Sequence, residues 1–171
     1  PYLPDDGDGL SQLLFRLTMG GWPTDWLSYE AHLVQSVSVS TVASGGAGVV
    51  STTSSEAGYR AVDARWDWAD EPGMSASLWA DRLNLSVALP FADVIVGRQA
   101  ITFGKAYFWN PLDVFLAFDP FQFDRDYKPG VDAVRIEVPI GDFAGVTVVG
   151  ALSNVNEDEV WGQSAALIRL W

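Results

Sequence analysis

Leu83, Leu85, Val87 and Leu89 alternate with Arg82, Asn84, Ser86 and Ala88, and Pro90-Phe91-Ala92-Asp93 then punctuates the chain before Val94-Ile-Val-Gly-Arg-Gln-Ala-Ile101. Strict period-two alternation followed by a short return predicts a β-hairpin, because successive side chains on a strand point to opposite faces. The same pattern recurs over 131–138 and 143–150, with Gly141 and Asp142 in the connection. A chain built from such units either packs two sheets together or closes a barrel. The solvent that meets the apolar face decides which.

Eight strand-like segments follow from this reading. The first covers 10–19 with weak alternation, and Gly20-Gly-Trp-Pro-Thr24 reads as its turn. The second, 26–42, places Leu27, Tyr29, Ala31, Leu33, Val37 and Val39 on one face, interrupted by Gln35. Ser28, Glu30, His32, Ser36, Ser38 and Ser40 share the other, interrupted by Val34. This run exceeds the usual globular strand of about 5–6 residues and suits a tilted spanning strand of about 9–11 with extensions. Residues 43–57 are rich in Ser, Gly and Thr and read as a loop. A third strand is expected over 58–69, then a type II turn at Glu71-Pro72-Gly73-Met74, with Pro second and Gly third. Strands over 75–89, 93–103, 131–138, 143–152 and 161–171 complete the set. A short turn and the Ser/Gly loop then fall at the same end of the structure. Spanning barrels usually segregate long loops from short turns.

Composition changes the picture in one respect. Of 171 residues 49% are hydrophobic and 13% aromatic, including 8 Trp, while only 19% are charged and the net charge is −12. No apolar run reaches the roughly 20 residues of a membrane helix. Trp22, Trp26, Tyr29, Trp79, Phe103, Trp109, Trp161 and Trp171 fall near segment ends. Amphipathic rings settle at headgroup depth, so such placement suits the aromatic girdles of a transmembrane barrel. Aromatics also favour strands in any sheet. With no Cys there is neither a disulfide framework nor a thiolate metal site. The acidic balance is wrong for nucleic acid. No phosphate-binding loop or nucleophile elbow occurs, so an enzyme and a cofactor are not expected.

Three pieces of the chain belong together: Gly97-Arg98-Gln99-Ala100-Ile101-Thr102-Phe103-Gly104, Trp109-Asn110-Pro111-Leu112-Asp113-Val114-Phe115, and Asp124-Arg125-Asp126-Tyr127-Lys128-Pro129-Gly130-Val131-Asp132-Ala133-Val134-Arg135. In composition and spacing they resemble a segment of bacterial outer-membrane porin-like β-barrels related to the alginate-export type. The resemblance covers about 82–150. It implies an outer-membrane barrel and supplies no catalytic residues. Such barrels are more than twice as long as this chain, so it implies that 171 residues form one barrel domain or a portion of a longer one.

The segment 105–130 carries Tyr107, Phe108, Trp109, Leu112, Phe115 and Phe118 and is too apolar to stand free in water. Asn110-Pro111-Leu112-Asp113 reads as a capped helical start. The segment is expected to fold into the barrel mouth or against a neighbour, as a solute-selecting constriction or as a structural plug or rim. Arg98, Asp113, Asp124, Arg125, Asp126, Lys128, Arg135 and Glu137 are the lumen or constriction candidates. Charge rings set selectivity in pores, whereas the same groups at a rim form a solvated network. Arg98, Arg135 and Glu137 alternate with apolar neighbours and are expected to face the lumen, paired with one another or in contact with solute. His32 and Glu30 make too small a set for a metal. Asp5, Asp6 and Asp8 miss the calcium-loop spacing and lack its glutamate.

The expected fold is therefore all-β: an antiparallel transmembrane β-barrel or a section of a larger one. The expected function is an outer-membrane channel for small polar or cationic solutes, in contact with outer-membrane lipid. The alternative is a non-conducting structural or docking barrel among other envelope proteins.

Overall fold

The computed structural model describes residues 10–40, 59–103, 128–153 and 164–171. They form β1 (Leu10–Thr24), β2 (Leu27–Ser40), β3 (Arg65–Glu71), β4 (Met74–Leu89), β5 (Ala92–Gln99), β6 (Val131–Ile140), β7 (Ala144–Ala151) and β8 (Ala165–Leu170). All pair antiparallel in one eight-stranded sheet of order β1-β2-β4-β5-β6-β7-β8, with β3 off this path on β4. The chain is all-β as expected. Among the described residues the sheet is not closed into a barrel: β1 and β8 end its path, and β3 pairs with β4 alone.

Several boundaries move. The glycines of 20–24 do not turn the chain; β1 runs on to Thr24, and the turn is Asp25-Trp26. Gly20 and Gly21 stay in the strand because they pair with Glu30 and Tyr29. A Cβ on Gly21 would lie 3.0 Å from the Tyr29 ring, so the missing side chain makes room for it. The return after Leu89 needs only Pro90-Phe91, because Leu89 already pairs with Ala92. β5 stops at Gln99 rather than 103. The Pro72-Gly73 turn forms where expected, with Gly73 at φ +87°, the positive value a type II turn requires.

The third segment departs most. It is a strand only over Arg65–Glu71, and it pairs with the Met74–Trp79 half of β4. Residues 59–64 instead cross between strands: Ala64 C=O accepts from Ala80 N–H, and Tyr59 C=O accepts from Asp132 N–H. This resolves the crowding of loop and turn at one end. The 141–143, Pro90-Phe91 and Asp25-Trp26 turns share one end of the sheet. The connections 41–73, 100–130 and 152–164 leave from the other. β3 is a half-length strand within the first of these, and its Pro-Gly turn lies beside Ser40, whose N–H donates to Gly73 C=O.

Register assigns the two faces. Leu27, Val87, Val94, Ile136, Val148 and Ile168 form one apolar row across six strands. Leu13, Leu17, Leu33, Leu83, Leu85 and Val96 belong to the same face. This face is open: Leu17, Leu85 and Ile168 are 57%, 53% and 71% exposed. The opposite face carries Arg16, Glu30, His32, Arg82, Asn84, Arg135, Glu137 and Arg169, and it is the more covered one. There the row Gly97, Ala133, Ala151 and Ala165 is narrow. Small side chains leave a hollow, which Tyr59, Ile101 and Phe103 fill to make the core with Val131 and Val149.

β4 also has a bulge. His32 pairs with Arg82 and Leu33 with Ala80, which leaves Asp81 without an opposite residue. An extra residue bends its strand and re-aims side chains. Here it separates the half of β4 that pairs with β3 from the half that pairs with β5. At the same level Gly97 has φ +115°, and a Cβ there would stand 2.3 Å from Leu83 O. Gly97→Ala is therefore expected to destabilise the fold by more than about 1 kcal/mol, read as a lower urea midpoint. An unchanged midpoint would show that β4 and β5 can separate freely at this point.

Candidate functional site

Two constellations of charge stand on this scaffold. The first lies on the covered face of β1, β2 and β4. Glu30 accepts from Arg82 Nη1 at 3.0 Å and from Asn84 Nδ2 at 3.0 Å, and His32 Nε2 is 3.1 Å from its carboxylate. Arg16 Nη1 meets Asp81 Oδ2 at 2.5 Å. Strand alternation brings Glu30 and His32 to one face, and the β2–β4 register sets Arg82 and Asn84 opposite them. The bulge frees Asp81 to reach Arg16 on β1. Further along the same face Asp93, Glu137, Thr147 and Arg169 form a row, with Arg135 bonded to Glu137. Arg169 also lies over the Phe103 ring at 5.4 Å, a cation–π distance.

The second constellation locks the branch in the sheet. Arg98 is 4% exposed. Its Nε and Nη2 donate to the two Asp132 oxygens at 2.8 and 3.0 Å, a bidentate fork. Nη1 donates to Ala80 C=O at 2.8 Å and Nη2 to Val62 C=O at 2.5 Å. Asp132 Oδ2 in turn accepts from Val62 N–H at 3.0 Å. Between the ladders of β3 and β5, backbone carbonyls of β4 and of 59–64 lack strand partners. Arg98 supplies their donors, since a buried carbonyl left unpaired costs about 1–3 kcal/mol. Gly130 seats the start of β6 against this knot; a Cβ there would lie 2.1 Å from Asp81 O and 2.6 Å from Arg98 Cγ. Arg60 enters the same layer with Nε and Nη2 buried and unbonded. Burial, then the like charge of Arg98, lowers its pKa.

The sequence candidates divide accordingly. Arg135 and Glu137 share the covered face as expected. Arg98 does not join them: Arg135 pairs with Ile95, three residues away, so ladder parity puts Arg98 with Leu83 and Val96. The positive φ at Gly97 precedes it, and its guanidinium is spent on the branch point. Lys128 is in a peripheral position, donating to Thr102 Oγ1 at 3.2 Å. Asp113, Asp124, Arg125 and Asp126 lie outside the described residues, as do the expected helical start at 110–113 and the acidic runs at 5–8 and 154–159. Of the apolar 105–130 segment, only 128–130 is described; just before it, Ile101 and Phe103 pack on the covered face.

Sequence reasoning missed Asp132, Asp81, Arg16 and Asn84. Asp132 carried a signal, being one charge between Val131 and Ala133. Asp81 carried a faint one: a bulge shifts the parity of the alternation, and the apolar-face positions of β4 pass from Leu78 and Ala80 to Leu83 and Leu85 across it. Among the described residues no group of three or more His, Cys, Asp or Glu could hold a metal, and no helix is long and apolar enough to cross a membrane. Comparison with protein-family models, with curated proteins and with solved structures finds no match to this chain.

Proposed function

We propose that this chain forms a wall section of a bacterial outer-membrane porin-like β-barrel, with its apolar face toward lipid and its charged face lining a path for small polar or cationic solutes. The inversion of the sheet carries this reading: large apolar side chains are open on one face while the ion pairs occupy the covered one. Exposed apolar patches on soluble monomers rarely exceed a few hundred Å². This face continues without interruption across six strands. Apart from the Arg98–Asp132 pair, no charge stands on it in β1, β2 or β4–β8. That absence matters because a charge toward lipid is costly.

The ends of the sheet support the same reading. Trp22, Trp26, Phe91, Phe143 and Trp171 are exposed at the tight-turn end, where an interfacial belt would lie. Short turns at one end and long connections at the other are the usual asymmetry of such barrels. The sequence resemblance over 82–150 agrees.

The cation preference rests on the acidic balance of the whole chain. The described residues hold 8 basic and 11 acidic side chains, a balance of −3 within the chain's −12. The wall is nearly neutral, so most of the acidic excess belongs to the remaining residues. Planar-bilayer recording on the complete wall tests the function. Stable conductance with a preference for cations is expected, reduced by Glu137→Gln or Asp126→Asn.

A second reading rests on a specific observation. Glu30, Arg82, Asp81, Arg16, Glu137 and Arg135 are all consumed in mutual pairs, as in a barrel filled by its own side chains. A folded but silent protein would favour that structural or docking role.

A further inference from the structure

The direction of the strands at the two edges determines what can complete this wall. Take down as running toward the tight-turn end. β1 runs down, β2 up, β4 down, β5 up, β6 down, β7 up and β8 down, because each pairs antiparallel with its neighbour in the order β1-β2-β4-β5-β6-β7-β8. β3 reaches only the Met74–Trp79 half of β4 and does not enter this path. Among the described residues the path therefore has seven strands, and both its edges run down.

Two consequences follow. Bringing β1 to β8 within one chain would create a parallel seam. Bacterial single-chain barrels are antiparallel throughout, even in strand number, and have eight strands or more; seven is too few and of the wrong parity. A second copy in the same orientation meets the same obstacle, since its β8 also runs down beside β1. An inverted copy would place the tight-turn aromatic end at both membrane surfaces. Yet open edges with unpaired N–H and C=O groups are not tolerated in hydrocarbon.

We propose that β1 and β8 are interaction edges completed by an odd number of further β-strands, of which those touching β1 and β8 both run up. Their chemistry follows from the rows they extend: apolar outward to continue Leu17–Leu33 and Val148–Ile168, polar inward to continue Thr147–Arg169. This rests on the lipid-wall reading above. β1 is well suited to receive such a strand. It offers 15 residues of edge with Leu13, Phe15, Leu17 and Met19 exposed along it.

The test compares three forms of the protein carrying Leu17→Cys and Ile168→Cys and folded into phosphatidylcholine vesicles. The first is unextended. The second adds, after Trp171, an Asn-Gly turn and a copy of Leu27–Ser40, which runs up. The third adds that strand and a further down-running copy of Leu10–Thr24. Oxidation of the first form is expected to give no disulfide between positions 17 and 168, within or between chains, and β1 amides facing away from β2 exchange fast. The one-strand extension is expected to slow those amides by 100-fold or more, and the two-strand extension is not. A 17–168 disulfide in the unextended chain, as monomer or dimer, or equal protection from one and two added strands, would overturn the proposal. Failure of the lipid reading appears separately, as loss of vesicle partitioning in all three forms.

Discussion

Arg98→Ala is expected to lower the stability of the folded protein by about 3–5 kcal/mol, the range for breaking a buried ion pair by removing one partner. The substitution strands the Asp132 carboxylate and removes the donors to Ala80 and Val62 carbonyls. Each of these groups was withdrawn from water on the assumption of a partner, so the loss exceeds that of an exposed pair, which is about 0–1 kcal/mol. Arg65–Asp67, an exposed pair with a similar 2.9 Å separation, provides the internal control. Arg98→Lys is expected to recover only part of the loss, because an ammonium cannot reproduce the planar fork that meets both Asp132 oxygens. Urea titration of the folded protein is the measurement. A loss below about 1 kcal/mol for Arg98→Ala would mean that water reaches the branch point.

Leu85→Arg separates the two solvents that the apolar face could meet. Leu85 lies mid-strand between Tyr29 and Val96 on neighbouring strands. In a bilayer an arginine near the midplane of a barrel wall costs about 2–4 kcal/mol. On a water-exposed sheet the same change falls within about 0.5 kcal/mol, the usual range for surface substitutions. Equilibrium folding into lipid vesicles is therefore expected to weaken by the larger amount for Leu85→Arg. Arg substituted for Phe143, a 93% exposed residue in the 141–143 turn, is expected to change little, since the cost falls to about 0–1 kcal/mol near the interface. Equal small effects at both sites would point to water on this face.

The parts legible in the sequence were those set by alternation. The clean hairpins of 83–96 and 131–150 and the long β2 emerge from period two. That period is a local property of the backbone. The face assignment of Leu27, Leu33 and Leu83 came with it. The illegible parts were those set by tertiary pairing. Gly20-Gly21 looks like a turn and is a strand, because Tyr29 occupies the space that side chains would fill. Residues 59–64 alternate like a strand, yet their hydrogen bonds go to Ala80 and Asp132 on two different strands. Arg98 was assigned with Arg135 and Glu137 from alternation alone. Unbroken ladder parity in β5 instead sets it on the face of Val94 and Val96, opposite Leu83 and Asp132.

The Pro-Gly turn beside Ser40 bears on how such a wall can be lengthened or trimmed. Val39 pairs with Met74, so the chain leaves β2 and rejoins β4 at adjacent positions. Everything from 41 to 73, including β3, is spliced between two strands that already form a neighbouring pair. Replacing that stretch with a two-residue connection would leave a simple meander in which every strand follows its spatial neighbour. Its described part, 59–73, is a graft on the rim, and Arg98 and Asp132 are the rivets fastening it to the wall through the backbone at Val62.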